Sequence, residues 1–271
     1  MFHKQTFREL GLTHNLDRRT IRNLIDTYQS PPKLHMPRNV HLVVDATYFG
    51  ERNEETCWCL VVFRCPRSKE NLWWTFCGTE TTSVYKEGRE YLESLGYTIQ
   101  SVTGDGFGGI RQAFSGVPFQ MCHVHMERLV IKGTTRKPQT EAGQVLLAMV
   151  RSLQCMDQAT FRNRMRLFFD KYHTFMNECT THPLTGDWSY THEGVRSAYR
   201  SLVNFEPYLF VYQHNKKISR TTNSLEGHFS HINRVTSIHR GLSKSQKQKV
   251  LHSICLASSV SPTEDKLAHI L

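Results

Sequence analysis

At 271 residues and a formal charge of +10, the chain is long enough to bury a core and is not one of the small scaffolds that need disulfides to fold. No uninterrupted apolar stretch approaches the ~20 residues of a membrane helix, so no membrane partner is expected. The 34 Lys and Arg against 24 Asp and Glu point to a polyanionic partner, with plain solubility as the competing explanation.

The eight cysteines lie mostly within or beside apolar segments, and no secretory leader precedes Lys4 and Arg8. That pattern predicts buried, reduced thiols in a cytoplasmic protein. Residues 4–28 read as two helices broken at Gly11, with Asn15 or Asp17 capping the second. Ile21, Leu24, Ile25 and Tyr28 form its buried face and Arg18, Arg19 and Arg22 its outer side. Residues 1–30 therefore form either a partial helix-turn-helix that contacts DNA or a helix pair that packs on the main domain. Pro32 and Pro37 make 31–40 a stiff linker.

From His41 the period becomes that of strands. HLVVDATYFG, TCWCLVVFRC and NLWWTFCG predict an antiparallel meander. A helix over 82–95, capped by Thr81 or Thr82, leads to a fourth strand in YTIQSVTGD. A short helix over 107–114 and a brief strand over 118–122 follow. After His125 the strand signal fades, and helices are expected over 144–153, 161–175 and 192–203, the last capped by Thr191. The fold class is α/β, a mixed five-stranded sheet with flanking helices and an all-helical insertion. The expected organisation is a core over 41–128 and 216–240, the insertion over 129–215, and a basic helical tail over 241–271.

Three acids stand at structural edges: Asp45 and Asp105 closing strand-like runs, and Glu226 early in a helix that follows Thr222, Asn223 and Ser224 and runs to about Val235. Carboxylates far apart in sequence can converge on divalent cations, and oxygen donors favour Mg²⁺ or Mn²⁺ over zinc. Each also has a plainer explanation: a turn hydrogen bond at Asp45, a turn residue at Asp105, a favourable first-turn charge at Glu226.

VVDATYFG, TGDGFGG, MCHVHM and TTNSLEGHFSHINR together resemble the catalytic core of the RNase H-like DDE transposases, in the broad prokaryotic insertion-sequence and Mutator-like group. The resemblance spans roughly 41–235. It implies that Asp45, Asp105 and Glu226 are the three catalytic, metal-binding acids holding two Mg²⁺ (or Mn²⁺). It also implies that Cys122 and His125 form a C-x2-H element supporting the active-site region, and that the helical insertion precedes the final acid. A structural zinc at Cys122, His123 and His125 is the alternative to a hydrogen-bonded Cys/His pair.

Further groups read as substrate-facing. Lys216, Lys217 and Arg220 approach the Glu226 helix, and His228, His231, Arg234, His239, Arg240, Lys244, Lys247 and Lys249 continue a basic tract suited to DNA phosphates. Trp188 either stacks on a base or is buried against the insertion. The expected function is a DNA transposase that hydrolyses a strand at transposon ends and transfers it. Its partners would be double-stranded DNA with terminal inverted repeats and target DNA. It would act as a homodimer and be cytoplasmic and nucleoid-associated. The alternatives are an RNase H-like nuclease without strand transfer and a catalytically idle DNA-binding protein.

Overall fold

The aromatic and β-branched runs after the linker form β1 (Asn39–Phe49), β2 (Trp58–Cys65) and β3 (Glu70–Cys77), an antiparallel meander in a computed structural model that describes residues 6–51, 56–238 and 241–258. β2 is buried along its whole length, which is why it reads as a continuous apolar run instead of alternating. β4 (Thr98–Gly104) and β5 (Phe119–Met121) pair in parallel, and the five strands make one mixed sheet in the order β3-β2-β1-β4-β5. The architecture is α/β.

The chain divides into two compact units, Met1–Ile99 with Asn223–Leu271 and Gln100–Thr222. In the first, one face of the meander meets α3 (Thr82–Ser94), whose Tyr85 ring stacks on Phe63 at 5.8 Å and whose N-terminus is capped by the Thr81 hydroxyl. The other face meets α9 (Asn223–Ile238) and α10 (Lys244–Ala257). Val43, Phe49, Leu60 and Val62 join Leu225, Ile232 and Leu251 in one apolar cluster. Each such fully buried side chain contributes about 1.5–3 kcal/mol. The segment expected as a tail thus supplies core residues, Val250, Leu251, Ile254 and Cys255 among them.

The linker is clasped as well as stiff. Lys33 pairs with Glu70 at 2.9 Å, and Arg38 bonds the other oxygen of the same buried carboxylate. Burial alone would raise the Glu70 carboxyl, and the two cations hold it below the usual range instead.

The first two helices depart from expectation. α1 (Phe7–His14) opens with a Thr6–Glu9 capping box and continues through Gly11; the break falls at Asn15, which adopts φ 51°. Gly11 permits the return, since a Cβ there would lie 2.6 Å from the Leu16 carbonyl oxygen. Asp17 caps α2 (Arg18–Thr27), accepting from the Arg19 and Thr20 amides at 2.7 and 2.9 Å. Of the expected buried face only Ile21 is buried, and Leu24 and Tyr28 are exposed. The helix is held at its end instead. Gln246 of α10 donates to Asp26 Oδ1 at 2.8 Å, and the Lys249 ammonium donates to the carbonyls of Ile25 and Asp26.

In the second unit α4 (Gly108–Ala113) lies between β4 and β5 in sequence, and α5 (His123–Thr134), α6 (Glu141–Arg151), α7 (Gln158–Met176) and α8 (Glu193–Leu209) follow. α7 buries Phe161, Met165, Phe168 and Tyr172, as the helical spacing predicts, and Met176 with them, whereas Phe169 of the same expected face is exposed. α5 and α8 meet backbone to backbone through Gly133 and Gly194. A Cβ on Gly194 would come within 2.1 Å of the Gly133 carbonyl oxygen, and one on Gly133 within 2.3 Å of Gly194's.

The insertion is not all-helical. β6 (Cys179–Thr181) and β7 (Trp188–Tyr190) form a hairpin, because β-prone Thr, Trp and Tyr residues flank a turn that Gly186 closes at φ 74°. The same hairpin overturns Thr191 as a cap. Its hydroxyl bonds Thr180 at 2.7 Å, and α8 starts after His192 without a side-chain cap. Among the described residues no helix is long and apolar enough to cross a membrane.

Candidate active site

Asp45 lies inside β1, not at its end. The ladder runs on through Phe49, which pairs with Trp58 and stacks on it at 4.4 Å, so the apolar pairing outlasts the acid. Alternation puts Asp45 on the same face as Val43 and Phe49. Both neighbours belong to the cluster with Leu225 and Phe229, so Asp45 is on the face covered by α9. Its side chain is half-buried, with Oδ1 accepting the Ala46 amide at 2.9 Å. Glu226 follows Leu225 in the first turn of α9, where the helix dipole favours a carboxylate, and its Oε1 is shielded from solvent.

α9 is fixed by a buried polar chain that sequence reasoning missed. Arg64 donates to Asn71 Oδ1 at 2.5 Å, and Asn71 Nδ2 contacts both His228 Nε2 at 3.0 Å and the Cys255 carbonyl at 3.1 Å. His228, expected as a substrate-facing base, is buried. Burial first, then the charges of Arg64 and His231, push its pKa down to about 4, so it is neutral at pH 7. The sequence signal was a polar Asn directly before the apolar Leu72, Trp73 and Trp74 of β3.

In the second unit Asp105 directly follows β4, as expected, and its Oδ1 accepts the Phe107 amide at 2.9 Å at the entrance to α4. Cys122 directly follows β5, donating its amide to the Gly104 carbonyl at 2.8 Å. The C-terminal ends of two adjacent parallel strands thus carry both residues, where ligands characteristically bind in open α/β sheets. The Cys122 thiol is buried. Burial would raise its pKa, but hydrogen bonds from the side chain of His125, and then from Thr222, lower it. Thr222 N–H donates to the sulfur at 3.3 Å. Arg128 donates to His125 Nε2 at 3.2 Å.

The approach segment is anchored at the same place. Thr103 Oγ1 donates to the Ser219 carbonyl at 2.7 Å, and the His123 amide donates to the Arg220 carbonyl at 3.0 Å. His123 donates Nε2–H to the Leu209 carbonyl at 2.8 Å; burial lowers its pKa, so it acts as a neutral strut. These backbone anchors leave Lys216, Lys217 and Arg220 exposed, with the Arg220 guanidinium over the Tyr212 ring.

The remaining expected contacts scatter. Arg18, Arg19 and Arg22 are exposed on α2, and Arg234 is exposed on α9, contacting His231. Arg240 and His239 lie outside the described residues. Trp188 is 63% exposed on the β6–β7 hairpin, so the burial alternative is wrong. Among the described residues, no group of three or more His, Cys, Asp or Glu side chains is gathered as a ready-made metal cage.

No protein-family model matches the chain, and no curated protein matches it. Among solved structures, a chain of the simian T-cell lymphotropic virus intasome in complex with PP2A regulatory subunit B56 gamma is similar at 13% identity and a TM-score of 0.24. The match covers 71% of this chain and 60% of that one.

Proposed function

We propose that this chain is an RNase H-like DDE transposase whose catalytic acids are Asp45, Asp105 and Glu226. The observation that carries this reading is the position of Asp45 on the α9-covered face of β1, with Glu226 in the first turn of that helix. Asp105 at the end of β4 and the sheet order agree with it. The donor set is all carboxylate oxygen, which fits two Mg²⁺ or Mn²⁺. When bound, such ions activate a water or a 3′-hydroxyl and stabilise the leaving oxygen of a phosphodiester.

The chain's own groups have separable tasks. The three carboxylates would hold the ions, and Oδ1 of Asp45 and of Asp105 each accepts one main-chain amide that orients it. Cys122, His125 and Thr222 keep the β4 and β5 ends in register with the approach segment. Lys216, Lys217 and Arg220 neutralise phosphates of double-stranded DNA. Joining two terminal inverted repeats to target DNA calls for a homodimer.

The test is incubation of purified protein with a random duplex library and Mg²⁺ or Mn²⁺, followed by sequencing of cleaved and joined products. Cleavage with 3′-hydroxyl ends and their joining to other duplexes are expected. Ala at Asp45, Asp105 or Glu226 removes both activities while DNA affinity persists. Near-wild-type cleavage by any one of the three variants would sink the assignment.

A further inference from the structure

A second group of reactive side chains lies on the opposite face of the meander from Asp45. Cys59 on β2 and Cys77 on β3 are register partners, and their sulfurs are 3.2 Å apart. Trp58, Leu60 and Val62 belong to the cluster under α9, so alternation turns Cys59 and Cys77 to the α3 side, where Phe63 meets Tyr85. Directly paired residues of an antiparallel ladder have Cα atoms about 4.5–5.5 Å apart. A disulfide spans about 4.4–6.8 Å, so the bond needs side-chain rotation and no backbone rearrangement.

The two thiols differ in access. Cys59 is buried and Cys77 half-exposed. Among the described residues no other pair of cysteine sulfurs is in contact: Cys122 is engaged by Thr222 and His125, and Cys155 and Cys179 are exposed on the second unit.

We propose that Cys59 and Cys77 form an oxidisable dithiol that exchanges with small-molecule disulfides. The Cys77 thiolate attacks one sulfur of R–S–S–R, expelling one thiolate that leaves as RSH and forming a mixed disulfide. The Cys59 thiolate then attacks the Cys77 sulfur, closing the cross-strand bond and releasing the second RSH. Two protein thiols lose two electrons and two protons, and one small disulfide becomes two thiols. A reduced thiol in excess runs the sequence backwards. Burial raises the pKa of both thiols, so the reaction is slow near neutrality and accelerates as pH rises.

The experiment equilibrates wild-type protein with oxidised and reduced glutathione, quenches in acid, unfolds, alkylates the remaining thiols and maps the peptides. Expected are a linked peptide pair containing Cys59 and Cys77 and the loss of alkylation at both positions, reversed by reduced glutathione. The oxidised protein gains several degrees in Tm, because the bond constrains the unfolded chain. Cys59→Ser keeps only the first step and carries one glutathione on Cys77. Full alkylation of both cysteines at about a hundredfold excess of oxidised over reduced glutathione overturns the proposal. So does linkage of Cys57 to either one in place of the Cys59–Cys77 pair.

Discussion

The two units hold their candidate acids by different means. In the first, Asp45 is inside the β1–β2 ladder that runs from Val43 to Phe49 and Glu226 rides on a helix packed into the apolar cluster, so both are positioned by the core. In the second, Asp105 sits past a short parallel pair and is positioned by one carboxylate–amide bond. Core-held acids fail when the fold fails. A turn-held acid can be disturbed alone.

The largest expected effect separates the two roles open to Asp105. Asp105→Asn retains an oxygen that can accept the Phe107 amide but loses the charge, so a catalytic carboxylate predicts a loss of about a thousandfold in cleavage rate. Full activity in Asp105→Asn, with activity lost in Asp105→Ala, would assign it to the turn only. Next in size, Leu225→Ala removes a fully buried side chain beside Glu226 and costs about 2–5 kcal/mol by urea unfolding, with activity falling in step with the folded fraction. An unchanged midpoint would show that α9 is not core-held.

Acid should weaken the first unit through His228. The folded pKa of His228, about 4, lies below its unfolded value of about 6.5, so the unfolded state binds the extra proton between those values. Stability is then full above about pH 6.5, falls as pH drops, and has lost up to about 3 kcal/mol near pH 4. His228→Gln should flatten that slope in pH-dependent unfolding; an unaltered slope would place the sensitivity elsewhere. In the second unit, Gly194→Ala forces α5 and α8 apart and should cost about 1–3 kcal/mol in the same assay. The smallest effect is at exposed Trp188, where Ala should shift stability by less than about 0.5 kcal/mol. If Trp188 stacks on bases, the same variant weakens single-stranded DNA binding by about 1–3 kcal/mol, which fluorescence anisotropy would detect.

The five strands of the sheet and the long helices were legible because the strands are short runs of β-branched and aromatic residues bounded by turn-prone stretches, while α7 has a 3.6-residue period. The positions of Asp105 and Glu226 were legible for the same reason, at the end of one run and the start of another. What sequence could not give depends on tertiary partners. Asp45 looked terminal because Ala46 and Thr47 interrupt the apolar run, yet Phe49 stacking on Trp58 carries the strand onward. His228 looked like part of a basic tract because Asn71, its partner, is 157 residues away. Leu24 and Tyr28 looked buried because a helical period reveals a face, not whether anything covers it.

The first unit is built from two stretches of chain separated by the whole of the second. A ribosome finishes β1–β3 and must then make residues 100–222 before α9 and α10 can emerge, a delay on the order of ten seconds. Throughout that interval the strand face bearing Val43, Leu60 and Val62 has no cover from its native helices. The nascent meander therefore presents an uncovered apolar strand face, a hazard for aggregation during synthesis. Slowing translation within 100–222 should lower the yield of folded protein more than the same slowing after Ala257.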